Sequence, residues 1–161
     1  MTVDTVAEDA RWASRRLDAL AGKAIDATLS HLTMVPGDWE VAVLGCNDQR
    51  IAELNAGFRG RSSPTNVLSW PSQDRAPRAA GEVPQPPDRG DPELGDIAIS
   101  LDTCLREAEA AGIPFEHHVT HLLVHGTLHL LGYDHETDMD AEVMEKLEVE
   151  ILATLGVPNP Y

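Results

Sequence analysis

Residues 117 to 135, HHVTHLLVHGTLHLLGYDH, hold six of the chain's seven histidines. Histidines four apart lie on one face of a helix, about 5–6 Å from each other. His125 and His129 have that spacing and present two imidazoles to one point. Gly132 lets the helix end in a left-handed turn, and the returning chain carries His135 toward the same point. The segment therefore requires a helix, a glycine stop and a reversal, in that order.

The resulting pattern, H-x-x-x-H-x-x-G-x-x-H, is that of a metal centre. Structural zinc sites fill all four positions with protein ligands and favour cysteine, whereas three histidines leave one position open for chemistry. His117 and His121 continue the ladder. Each four-residue step, however, advances the face by about 40° and the axis by about 6 Å, so one ion uses only adjacent rungs. The Gly132 turn selects His125 and His129 as those rungs. His117, His118 and His121 are then expected at the surface or in support of the ligands, and His31 at the surface. Zinc peptidases with this spacing place a glutamate directly after the first histidine as general base. Gly126 occupies that position, and roughly 26 residues follow His135, which makes peptidase chemistry the weaker reading.

At 161 residues and 42% hydrophobic, the chain is long enough for one core, and one domain spanning 1–161 is expected. The segment DTVAEDARWASRRLDALAGKAIDATLSHL reads as an opening amphipathic helix. WEVAVLGC alternates as a strand does, and Asn47 can cap a helix that ends near Gly57. TNVLSW and LGDIAIS read as further strands, LDTCLREAEAAG as a helix stopped at Gly112, and Pro114 as the start of the histidine helix. Asp138 is placed to cap a last helix, whose acidic face reads as solvated surface. Between the strands, residues 71–93 contain six of the eleven prolines and almost no large apolar residue, so a mobile loop is expected. Strands separated by helices imply an α+β or mixed α/β layer structure.

Cys46 and Cys104 stand in unrelated segments and read as buried apolar residues. No apolar run is long enough for a membrane span and the N-terminus lacks a signal-peptide pattern, so a cytosolic location is expected. A formal charge of −15 opposes loose charge-driven binding to nucleic acid, which would need a local basic patch.

HGTLHLLGYDH, together with LNAGFRGRSSPTNVLSWP, LGDIAIS and LGVPNPY, resembles the YbeY family of bacterial endoribonucleases. The resemblance covers most of the chain from the first strand onward. It implies a small mixed β-sheet flanked by about five or six helices, with a zincin-like three-histidine site. It further implies one zinc ion per chain held by His125, His129 and His135, and hydrolysis of single-stranded RNA in the maturation of ribosomal RNA ends, notably the 3′ end of 16S rRNA. Small-subunit ribosomal proteins and an assembly GTPase are the further partners implied. Trp70 stands where the family often has Phe, and the 71–93 loop is long.

The resemblance draws attention to Arg59, whose guanidinium is a candidate to grip a phosphate at two points, with Arg61 completing a basic patch. Asp134 is a candidate to orient a histidine or accept a proton, and equally to stabilise the turn. Tyr133 is expected to pack beneath that turn. A zinc-dependent endoribonuclease in ribosomal RNA processing and ribosome quality control is the leading reading. Beside it stand a zinc metallopeptidase and an assembly factor with structural zinc, whose acidic helix would dock basic ribosomal proteins.

Overall fold

The computed structural model describes residues 3–60, 63–77 and 79–161, with residues 58 and 59 described by their backbone alone. Four strands form one mixed sheet: β1 Val3–Ala7, β2 Glu40–Cys46, β3 Val67–Pro71 and β4 Glu93–Ser100, in the order β1-β2-β4-β3. β1 and β4 flank β2 in parallel, and β3 runs antiparallel to β4. Because side chains alternate along a strand, Val41 and Val43 point to one face of β2 and Leu44 to the other. Ile97 and Ile99 of β4 share the first face, and Ala98 shares the second.

The described residues also form six α-helices: α1 Arg11–Ser14, α2 Leu17–His31, α3 Asp48–Arg59, α4 Leu101–Ala111, α5 Phe115–Leu130 and α6 Asp138–Thr154. The first face is covered by α2 and α5, whose Ile25, Leu29, Leu123 and Leu128 are buried with the strand residues. On the second face, Ile51 of α3 joins Cys46, Leu68 and Ala98 in a smaller cluster. The expected α+β architecture, with its mixed sheet and six helices, is the one observed.

Three local expectations are corrected. The opening segment does not form one helix. Residues 3–7 instead pair with β2, and a left-handed Arg16 (φ 56°) separates α1 from α2. Only Val3 of that strand is buried, so its alternation is weak, and long-range pairing decides the matter. The helix capped by Asn47, whose side chain accepts the Arg50 N–H at 2.9 Å, passes Gly57 and stops at Gly60 in the left-handed region. At α6 the cap is Thr137, whose hydroxyl accepts the Asp140 N–H at 3.1 Å, while Asp138 is already helical.

Between β3 and β4 the chain is tied at identifiable points. Arg75 donates to the carbonyls of Leu130 (2.7 Å) and Leu94 (3.1 Å), and the Gly81 N–H donates to Asp140 Oδ1 at 2.8 Å. Beyond the buried Pro84, residues 85–90 make an exposed Arg89–Asp38 ion pair at 3.4 Å and a local Asp88–Gly90 turn. Exposed pairs contribute about 0–1 kcal/mol. Shortening the loop within 85–90 is therefore expected to lower the melting temperature by less than about 4 °C. A calorimetric melt beside wild type checks this, and a larger drop would show that the tip packs as structure.

Candidate metal centre

The histidine helix α5 ends as its sequence requires. Gly132 adopts φ 102°, its N–H donates to the His129 carbonyl at 3.0 Å, and the Tyr133 N–H reaches back to Leu128 at 3.1 Å. These two bonds form a Schellman turn, which satisfies carbonyls that the helix end would leave open. A side chain at Gly132 would also collide with the Arg75 carbonyl, so glycine is required twice over. Tyr133 is buried beneath the turn, as expected.

Past the turn, His135 returns to face His125 and His129. One ligand atom from each of the three lies within 4.8 Å of the others, and the Nε2 atoms of His125 and His129 are 3.1 Å apart. Two nitrogens on one tetrahedral zinc, each about 2.0–2.1 Å from it, stand roughly 3.3 Å apart. Burial and the neighbouring His125 lower the His129 pKa to about 4, so its ring stays neutral and keeps a lone pair for an ion. The three-histidine cluster can thus hold a metal ion.

Glu148 makes the arrangement directional. It is 0% exposed, and its Oε1 accepts from His125 Nδ1 at 2.7 Å, which leaves Nε2 of that ring without a proton and aimed at the cluster. His121 Nε2 lies 3.3 Å from the same oxygen, and the Tyr161 hydroxyl donates to Oε2 at 2.5 Å. Burial alone would raise the Glu148 pKa, but these donors bring it down to about 2. The acidic face of α6 is therefore not solvated throughout. Glu148 follows Met144 by four residues and precedes Ile151 and Leu152 by three and four, so its helical phase placed it in the buried stripe.

Two further histidines are paired with acids, and His117 is half-buried. His118 pairs with Glu107 and His31 with Glu150, both at 2.9 Å. Asp134 Oδ1 accepts the His135 N–H at 2.7 Å and stands 3.9 Å from His129 Nδ1, so the carboxylate serves the turn and is too far to orient that ring directly. Arg59 is the last residue of α3, and its side chain, like the whole of Arg61, lies outside the described residues. Both cysteines are buried and unpaired, and burial pushes the Cys46 thiol up to about 12.

A cavity of about 560 Å³ opens over the cluster, walled by β3, by His121, His125, Gly126 and His129 of α5, and by Tyr161. A β-carbon at Gly126 would touch Ile97 at 3.3 Å, so this position is packed against the sheet and carries no group able to take a proton.

The family model described as Endoribonuclease YbeY matches residues 2–156. The chain belongs to the YbeY endoribonuclease family. Endoribonuclease YbeY of Dinoroseobacter shibae is 59% identical over 163 residues, covering 99% of this chain and 90% of that one. The Jannaschia protein of the same name is 51% identical over 161 residues and is matched over its full length. The solution structure of TM1509 from Thermotoga maritima, at 24% identity and TM-score 0.58, shares the fold over 96% of this chain and 92% of its own. No helix among the described residues is long and apolar enough to cross a membrane.

Proposed function

We propose that this YbeY family member is a zinc-dependent endoribonuclease that cleaves single-stranded RNA during maturation of ribosomal RNA ends and in ribosome quality control. The observation that carries this reading is the convergence of His125, His129 and His135 on an open cavity with no fourth protein ligand among the described residues. Their donor set suits zinc: three imidazoles, one held in its ligand tautomer by Glu148 and one kept neutral by burial. A zinc ion held there supplies Lewis acidity and lowers the pKa of water toward about 7. Gly126 and the family relationship speak against the peptidase alternative, and the open position speaks against a purely structural metal. Small-subunit ribosomal proteins and an assembly GTPase are proposed as partners on the same family grounds.

Within this reading Arg59 holds the scissile phosphate and Asp134, on the cavity wall, is a candidate proton acceptor. A guanidinium offers two parallel donors to a phosphate and offsets the charge that grows in the transition state. Arg59→Ala is expected to slow cleavage about a hundredfold, with zinc content and melting temperature unchanged, and Arg59→Lys to recover only part. Incubating zinc-loaded protein with single-stranded RNA and with casein, with and without chelator, tests the function itself. Chelator-sensitive RNA cleavage with intact casein is expected. Casein hydrolysis, or no cleavage of either, would overturn the proposal.

A further inference from the structure

We propose that Tyr161 is a nucleobase-stacking platform, so that this YbeY family member gains affinity and single-strand selectivity from an unpaired base. This inference rests on the RNA reading given above. Tyr161 is 60% exposed and lines the cavity that contains the three ligand histidines. Among the described residues the other large aromatics do not share that position: Trp12, Trp39, Phe115 and Tyr133 are buried and Trp70 is half-buried. The ring is also held in place. Its hydroxyl donates to the fully buried Glu148, and His121 meets it edge-on, with ring centroids 5.6 Å apart and planes at 87°. A ring already immobilised by two contacts loses little freedom when a base settles on it, which raises the yield of each contact.

Charge explains why such a platform is needed. With a formal charge of −15, the chain cannot draw much affinity from phosphates, the usual source of binding to nucleic acid. Stacking needs no cationic field, and every base has a face to offer. A base paired in a duplex has both faces covered by its neighbours and cannot offer one to the exposed ring without unstacking. Selectivity for unpaired strands then follows from where Tyr161 sits and needs no reading of base edges.

The comparison that isolates the ring is Tyr161→Phe against Tyr161→Leu. Both lose the hydroxyl bond to Glu148, so any effect they share belongs to that carboxylate, and the difference between them belongs to the aromatic face. For zinc-loaded protein on a short single-stranded RNA, the KM of Tyr161→Leu is expected about tenfold above that of Tyr161→Phe, with kcat differing by less than about twofold. Scanning an abasic residue along the strand is expected to find one position that raises KM about tenfold for Tyr161→Phe and not at all for Tyr161→Leu. The logarithmic salt dependence of KM should be shallow and alike in both, since phosphate contacts are untouched. Equal KM values for the two variants, or an abasic scan indifferent to the ring, would overturn the stacking role. Failure of the wild type to cleave RNA would instead defeat the endoribonuclease reading. The affinity of the two zinc-loaded variants for the same strand, read by fluorescence anisotropy, would still decide whether Tyr161 binds a base.

Discussion

His129→Ala is expected to be purified with less than about a tenth of the wild-type zinc and to cleave single-stranded RNA at background, a loss of at least about a thousandfold. The expectation rests on geometry. His125 and His129 bring their Nε2 atoms to 3.1 Å, and with His129 gone only His125 and the exposed His135 remain to hold an ion. Two imidazoles cannot enclose zinc against chelators or water, and losing the metal forfeits several kcal/mol of charge stabilisation. His135→Ala is expected to behave the same way, because the Gly132 turn exists in part to return that ring. His117→Ala, two rungs up the helix, should keep its full zinc content. Elemental analysis of the three proteins decides the matter: equal zinc in wild type and His129→Ala sinks the ligand assignment, and a loss in His117→Ala would mean that another pair of rungs holds the ion.

The contrast between His129 and Glu148 shows where a sequence can be read and where it cannot. The histidine spacing is local: i to i+4 on one helix, then a glycine stop and a short return, all within eleven residues. Elementary helix geometry suffices for it, and strands β2, β3 and β4 were legible for the same reason, through alternation within a few residues. What escaped were features settled by distant partners. β1 forms because β2 offers it an edge, with Val3 its one buried side chain. Arg75 reaches across 55 residues to the Leu130 carbonyl at the end of the histidine helix, so even a proline-rich loop takes part in holding the candidate site. Glu148 is separated by 23 residues from His125 and sits among acids that do face water, so composition disguised it. Its phase with Met144, Ile151 and Leu152 was nonetheless available as a signal, since a carboxylate in a buried stripe requires a partner.

That partner relationship makes Glu148 the site of the second large effect. Glu148→Ala would remove the buried acceptor of the His125 Nδ1–H and of the Tyr161 hydroxyl and leave a gap in the core beside them, and a donor left unsatisfied at a buried position costs about 1–3 kcal/mol. The variant is expected to lose about 3–5 kcal/mol of stability, on the scale of breaking a buried charged pair, and so to melt about 10 °C or more below wild type. Glu148→Gln keeps the shape and one acceptor oxygen but removes the charge that favours the ligand tautomer of His125. It is expected to fold and to bind zinc about 10–100-fold more weakly, the effect typical of removing a carboxylate behind a metal-bound histidine. Acid provides an independent check on metal-free protein. With the folded pKa of Glu148 near 2 and its ordinary value at 4.5, the stability from its ionised form is fully present above pH 4.5 and is lost as pH falls through 2. Wild type should therefore lose melting temperature across that window more steeply than Glu148→Gln, whose amide does not titrate. Parallel acid profiles for the two proteins, together with equal zinc affinities, would show that Glu148 merely fills space behind His125.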